Sequence, residues 1–404
     1  RLEHIEPFYV MECAKIAQQI ADSPACDPER GGTPMIWLNI GEPDFGAAPL
    51  VREAAHRVIA SGHTPYTQAT GLPELREAIS RWYAQRFSLH IEPGRIVVTA
   101  GASAALQLAC AALFEAGDEV LMPDPCYPCN RHFVAAVDAR PRLLTTSAGT
   151  RFQLDAAAVH DAWSPATRCV LLTAPSNPTG TSIAADELTR IADITRARGG
   201  VCIVDEIYLG LSYDEAYSHS VLSACRDQDD AIISVNSFSK YFGMTGWRLG
   251  WLVLPTSLVA PVERLAQNLY ICPSTIAQHA ALACFAEASI TEFERRRAEL
   301  RRRRDYVVGA LDSIRLPAPV VPDGAFYAYA DCSRHATNSW DFCIDLMHRA
   351  HVALTPGRDF GSHDTQRYLR LSFASSMPQL EAAMQCAAPQ GFRLQPRVRR
   401  SELE

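Results

Sequence analysis

Only two lysines occur among the 404 residues, Lys15 and Lys240; every other side chain that is fully cationic at neutral pH is arginine. This chain uses arginine wherever a plain positive charge suffices, so a lysine kept in its middle asks for a chemical reason. An ε-amine can lose its proton in a suitable site and form a Schiff base, whereas a guanidinium stays charged and cannot. Ser237 and Ser239 stand before Lys240, and Arg248 stands after it. Earlier in the chain, other groups follow directly on apolar runs: Ala102 and Ser103 in a small-residue stretch, Tyr127 on a proline-rich turn, Asn177 within Pro175–Gly180, and Asp205 with Tyr208. A carboxylate at the end of an apolar strand is costly unless a cation offsets it.

The elements that must position these groups follow from the periodicity. Residues 95–99, 119–122, 168–173, 201–204, 231–235 and 250–254 are short apolar runs. Several are continuous, as expected of parallel strands buried on both faces. Helical patterns over 50–61, 72–87, 103–114 and 184–198 are interspersed with them. The predicted fold is therefore α/β: a large domain, residues 47–282, with a mostly parallel central sheet flanked by helices. Beyond about residue 280 the pattern changes to a long charged helix over 290–311, a turn-rich stretch over 317–329, a helix over 340–350 and a strand over 368–373. With a helix over 10–21 and a strand over 35–40, these predict a smaller α+β domain built from residues 1–46 and 283–404, with 390–404 a peripheral tail. Ligands of open parallel sheets bind beyond the carboxyl ends of the strands. Successive strand ends here present small residues opening a helix, an aromatic plate, an amide, an acid with a phenol, and a lysine with hydroxyls and an arginine.

One small molecule asks for all of these groups: pyridoxal phosphate. Its phosphate suits a helix N-terminus, hydroxyls and an arginine. Its ring suits a stacking partner, its pyridine nitrogen a carboxylate, its phenolic oxygen hydrogen-bond donors, and its aldehyde a lysine. The set Ser237, Ser239, Lys240, Gly243, Met244, Gly246, Arg248, Leu249 and Gly250 resembles the cofactor-attachment signature of the class I (fold type I) pyridoxal-phosphate aminotransferases, aspartate/aromatic aminotransferase-like, at every fixed position. The resemblance covers nearly the whole chain. Gly41–Phe45, Tyr66 with Thr67 and Gly71, Pro175 with Asn177–Gly180, Asp205 with Glu206 and Tyr208, Gly324–Phe326, and Arg370 with Ser372–Ala374 follow in that family's order.

The resemblance implies a transaminase that moves the amino group of an L-amino acid to a 2-oxo acid by a ping-pong route through a Lys240 Schiff base. Lys240 would hold pyridoxal 5'-phosphate and then move the substrate proton. Asp205 would pair with the pyridine nitrogen, Asn177 and Tyr208 would bond the phenolic oxygen, and Tyr127 would stack on the ring. Ala102, Ser103, Ser237, Ser239 and Arg248 would hold the phosphate. Tyr66 would reach the phosphate of a neighbouring subunit, which implies a homodimer with shared active sites. Arg370 would bind the substrate α-carboxylate, with Gly41 and Asn177 beside the substrate. A carbon–sulfur β-lyase on the same fold shares the cofactor residues and is the enzymatic alternative. A non-catalytic regulatory protein is the alternative of another class.

The remaining features weigh against other classes. A net charge of −7 gives no reason to expect nucleic acid or an anionic membrane as partner. No apolar run reaches the length that spans a bilayer, and residues 1–10 contain no secretory core, so a cytoplasmic protein is expected. The thirteen cysteines are scattered through apolar segments and read as reduced small hydrophobes; Cys126 and Cys129 form a single pair, weak evidence for metal or redox work. The arginines over 295–297 and 301–304 interleave with acids and read as a solvated helix face. A dicarboxylic substrate would need a second cation; Arg131, His132 and Arg358 are candidates.

Overall fold

The structure, a computed structural model, describes residues 9–387; the tail expected over 390–404 lies outside the described residues. Two compact units divide the chain: Glu42–Arg301 with Pro322–Ala325, and, among the described residues, 9–41 with 302–321 and 326–387.

The first unit is α/β. Its seven-stranded sheet comprises β1 (Ile96–Thr99), β2 (Glu119–Asp124), β3 (Arg140–Thr145), β4 (Thr167–Thr173), β5 (Val201–Asp205), β6 (Ile232–Ser237) and β7 (Gly250–Val253). The order is β1-β7-β6-β5-β4-β2-β3. β3, β2, β4, β5 and β6 are mutually parallel, while β7 runs antiparallel to both β6 and β1. Two antiparallel steps return β1 to the direction of β6. The carboxyl ends of β1, β2, β4, β5 and β6 therefore share one sheet edge, and the amino end of β7 joins them there.

Side chains alternate between the two faces. On one, Val97, Val120, Met122, Leu171, Ile203, Ile233, Val235 and Leu252 form a core that takes in Leu106 and Ala109 of the helix Ala102–Leu113 and Val262 and Ala266 of the helix Thr256–Leu269. The other face carries Ser234, Asn236 and Trp251. There the Tyr83 hydroxyl accepts from Asn236 Nδ2 at 3.0 Å and from Trp251 Nε1 at 3.3 Å. Asn236 also donates to Ser234 at 2.7 Å, and Ser234 donates to the buried carboxylate of Glu206. Glu206 further accepts from Ser220 at 2.8 Å and from the Val221 N–H at 2.7 Å.

β3 was not legible as a strand. Its residues alternate between exposed and half-buried at the sheet edge, so it lacks the apolar run of its neighbours. The run expected over 35–40 pairs only through Ile36–Trp37, which lies parallel to Val352–Ala353.

The second unit is α+β. Tyr368–Ser372 is the middle strand of an antiparallel three-stranded sheet, between Thr355–Pro356 and Tyr327–Asp331. Cys13, Ala17 and Ile20 of the helix Tyr9–Ala21 share a core with Met347 of the helix Ser339–Ala350. The Asp359 carboxylate accepts the Tyr9 and Val10 N–H groups at 3.0 and 3.2 Å, satisfying donors that a helix start leaves open.

The long helix Glu287–Ser313 is only partly the solvated face expected of its arginines. Arg295 is exposed and paired with Glu292. Arg296 instead donates to the Gly46 carbonyl at 2.7 Å, Arg297 to the Ser212 carbonyl at 2.8 Å, and Arg303 to the Ala374 carbonyl at 2.7 Å. Their long stems carry donors to loop carbonyls. Among the described residues, no helix is long and apolar enough to cross a membrane.

Burial pushes the Glu206 carboxyl up from 4.5 to about 7, with the Ser234, Val221 and Ser220 hydrogen bonds opposing it. The fold thus favours the neutral acid. That contribution is complete below about pH 4.5 and is lost as pH rises through about 7. Wild-type stability relative to Glu206→Gln should therefore fall by roughly 3 kcal/mol across this window. Urea unfolding of both proteins from about pH 4 to about pH 8 checks it; a pH-independent difference would contradict the assignment.

Candidate active site

β5 ends in Asp205, 1% exposed, and β6 lies beside it with Val235 opposite Asp205. Lys240 follows on the turn after β6, where the Gly243 N–H donates to the Lys240 carbonyl at 3.2 Å. Burial pushes the Asp205 carboxyl up to about 6; the Asn130 amide, the Ile207 N–H and the Lys240 ammonium pull it back. Both hydrogen bonds to this carboxyl are long, at 3.4 Å. A buried acid held by two weak donors and a nearby ammonium is a receptor for a further cationic group.

A second cluster forms where β1, β6 and β7 meet. Gly101 precedes the helix Ala102–Leu113 with φ +84°. A β-carbon on Gly101 would stand 2.6 Å from Arg248 Nη2, so the guanidinium lies directly on the helix N-terminus. A β-carbon on Gly250 would stand 2.8 Å from the Ala102 nitrogen, so β7 and the helix start approach through bare backbone. Ser103 is exposed on the first turn of the helix. Ser237 and Ser239 are each 6% exposed, and the Ser239 N–H donates to Ser237 Oγ at 3.0 Å. Helix N–H groups, an arginine and two serine hydroxyls make an anion cradle, and a phosphate fits it. Because β7 is antiparallel, Arg248 reaches the sheet edge from the amino side of its strand.

Asn177 is 5% exposed in the loop after β4, between peptide bonds that are cis at Pro175 and Pro178. Tyr208 is 1% exposed, on the turn after β5. Tyr127 caps the helix Pro128–Ala135 and is half-buried. Tyr66 differs from these: it is 78% exposed, on a segment fastened to the helix Thr275–Leu282 by Thr275 donating to the Pro65 carbonyl at 2.7 Å.

Gly41 and Arg370 belong to the second unit. A β-carbon on Gly41 would run into the Tyr327 hydroxyl. Arg370, 3% exposed, donates from Nη2 to the Asn39 carbonyl at 2.6 Å and to Thr355 Oγ1 at 3.3 Å. Its guanidinium lies 4.5 Å from the Tyr327 ring centroid and 5.0 Å from that of Phe360, which fixes its plane.

Of the suggested distal cations, Arg358 is held between Tyr9 and Trp340, 4.0 and 4.4 Å from their ring centroids. Arg131 hydrogen-bonds the Cys126 thiol, which burial nonetheless pushes up to about 12. His132 is half-buried on the helix Pro128–Ala135. Sequence reasoning passed over Asn130. It is fully buried one helical turn after Tyr127 and donates to Asp205 Oδ2 and, at 3.3 Å, to Thr173 Oγ1. Its spacing from Tyr127 was the available signal.

A family model described as aminotransferase class I and II matches residues 33–386. The chain is 36% identical over 380 residues to a valine–pyruvate aminotransferase of Mycobacterium tuberculosis, covering 94% of this chain and 95% of that protein. It is 37% identical over 356 residues to a probable N-acetyl-LL-diaminopimelate aminotransferase of Bacillus subtilis, covering 87% of each. A crystal structure of an aminotransferase from Mycobacterium tuberculosis superposes with a TM-score of 0.88 at 36% identity, over 95% of this chain and 96% of that one. The aspartate aminotransferase of Thermus thermophilus with maleate superposes with a TM-score of 0.87 at 30% identity, over 96% and 97% of the two chains.

Asn130→Leu removes one of the two donors that pull the Asp205 carboxyl down. Its titration midpoint in the ligand-free protein should rise by about one pH unit, the equivalent of one hydrogen bond. Carbon-detected NMR of the aspartate carboxyls measures this, and an unmoved midpoint would show that Asp205 does not feel the amide.

Proposed function

Since the chain belongs to the class I and II aminotransferase family and is a transaminase, we propose that it holds pyridoxal 5'-phosphate at Lys240 and Asp205 and moves the amino group of an L-amino acid to a 2-oxo acid in two half-reactions. The observation that carries this reading is the buried, weakly satisfied Asp205 carboxyl beside the ammonium of Lys240. Bound there, the cofactor supplies a carbonyl for amines and an acceptor for electrons released at the substrate Cα.

The chain's own residues have distinct tasks. Asp205 would pair with the ring nitrogen and favour its protonated form. Asn130 orients the carboxylate. Asn177 and Tyr208 donate to the phenolic oxygen, and Tyr127 covers the ring. The N–H groups at Ala102 and Ser103, the hydroxyls of Ser237 and Ser239, and Arg248 bind the phosphate. The Lys240 amine would take and hold the proton released at the substrate Cα. Arg370 takes the α-carboxylate in a two-pronged contact, with Gly41 beside the substrate. We read the enzyme as a homodimer in which Tyr66 reaches the neighbouring subunit's phosphate. The exposed apolar side chains of Tyr66, Leu269 and Ile271 support that reading. A cytoplasmic setting agrees with the unbridged cysteines.

Lys240→Ala should lower turnover by at least about a thousandfold, the scale of a lost general base, and abolish the borohydride-reducible cofactor linkage. Retained steady-state turnover would sink the proposal. Arg370→Lys keeps the charge but not the fork; KM for amino acids should rise about tenfold or more. Half-reactions across the amino acids, followed by conversion of the bound cofactor to its amine form, measure this and identify the substrate.

A further inference from the structure

The side chains of the lysine turn divide between two environments. Ser237, Ser239 and Lys240 belong to the candidate active site. Phe238, Tyr241 and Phe242 enter a buried aromatic cluster with Trp82 and Trp251. Tyr241, covalently next to Lys240, is 3% exposed and carries a hydroxyl, for which packing alone gives no reason. That hydroxyl donates to Glu294 Oε1 at 2.6 Å.

Glu294 is the centre of an ion-pair group, 2.8 Å from Arg86 Nη1 and 2.7 Å from Arg297 Nη2. Burial pushes its carboxyl up, but the Tyr241 hydroxyl and the Arg86 and Arg297 guanidiniums outweigh burial and hold it below its ordinary value. The Tyr241 bond is therefore charge-assisted and directional. Arg86 also lies 5.1 Å from the Tyr241 ring centroid and donates to the Gly210 carbonyl at 3.4 Å. Gly210 has φ +94°, and a β-carbon there would stand 2.9 Å from two ring carbons of Tyr241. The ring is thus pressed on the backbone of the turn that follows Asp205 and Tyr208. Fastened at its hydroxyl by Glu294 and at its face by Gly210 and Arg86, Tyr241 joins the lysine turn to the acid turn.

We propose that Tyr241, anchored by Glu294, is a positioning residue that fixes the Lys240 backbone against the Asp205–Gly210 turn and so sets where the lysine amine stands relative to the Asp205 carboxylate. The inference rests on the proposed attachment of the cofactor at Lys240. Neither side chain touches the reacting atoms. Their effect passes through the backbone of residues 240 and 241. Loss of the hydroxyl leaves the ring packed but removes the directional bond to Glu294 that sets the position of the turn.

The test uses the full-length, cofactor-loaded enzyme with Tyr241→Phe, Glu294→Gln and the double variant. Arg295→Gln, an exposed change on the same helix, is the control. The first readout is the pH midpoint of the visible absorbance of the lysine-linked cofactor, which a purely structural role would leave in place. It should move by about half a unit or more in each single variant. Turnover should fall about tenfold with KM within about twofold of wild type, the signature of misplaced chemistry rather than lost binding. The double variant should be no worse than the worse single, because each single already weakens the same charge-assisted Tyr241–Glu294 bond. Arg295→Gln should match wild type throughout. Loaded variants with the wild-type midpoint and turnover overturn the inference, and so does a double variant whose losses multiply. Should Tyr241→Phe not load, Glu294→Gln carries the comparison with its ring intact. A wild type without lysine-linked absorbance overturns the proposed function as well, whereas an unmoved midpoint overturns this inference alone.

Discussion

Burying two consecutive carboxyls at the end of the strand Val201–Asp205 is costly, because neither keeps a full shell of water. The fold treats them in opposite ways. Glu206 is given hydroxyls and a backbone N–H from Ser220, Val221 and Ser234 and closes into a satisfied network around Tyr83 and Asn236. Asp205, on the other face of the strand, is given two long hydrogen bonds and a neighbouring ammonium. One acid is consumed by structure and the other is held available. The helix N-terminus and Arg248 lie by β1 and β7, and Lys240 lies on the adjoining turn.

The parts of the fold that were legible were those with a local cause. Central strands such as Val201–Asp205 and Ile232–Ser237 open on β-branched and apolar residues, and sequence finds them because burial on both faces favours such residues. The edge strand Arg140–Thr145 has no such run, and the pairing of Ile36–Trp37 with Val352–Ala353 joins residues far apart in the chain. Neither has a local signature. In the same way, Lys240, Asp205 and Arg248 announce themselves by type and spacing, but Asn130 and Glu294 do not. An asparagine on a short helix and a glutamate in an arginine-rich helix look ordinary until the fold delivers them to Asp205 and Tyr241. The inward turn of Arg296, Arg297 and Arg303 was hidden for the same reason: helical spacing shows which residues share a face, and only packing shows which face meets a loop.

The aromatic cluster beneath the lysine turn has a complementary role. Phe238, Phe242, Trp82 and Trp251 meet mainly edge to face or tilted, at centroid separations of 4.9 to 6.3 Å. Such interlocking leaves few alternative rotamers. Phe238, Tyr241 and Phe242 are thereby anchored in a stiff interior, and Ser237, Ser239 and Lys240 beside them inherit its order.

The reversed strand Gly250–Val253 has a kinetic meaning. Because it runs against Ile232–Ser237, the two are joined by a short loop rather than a crossover helix, and Lys240 and Arg248 both lie on that loop. Closing a short loop costs little chain entropy, and the cost grows only logarithmically with length. The proposed grips for the neighbouring aldehyde and phosphate of one ligand are therefore carried on a single local loop. They are not left to wait for the slow long-range registration that the parallel strands require.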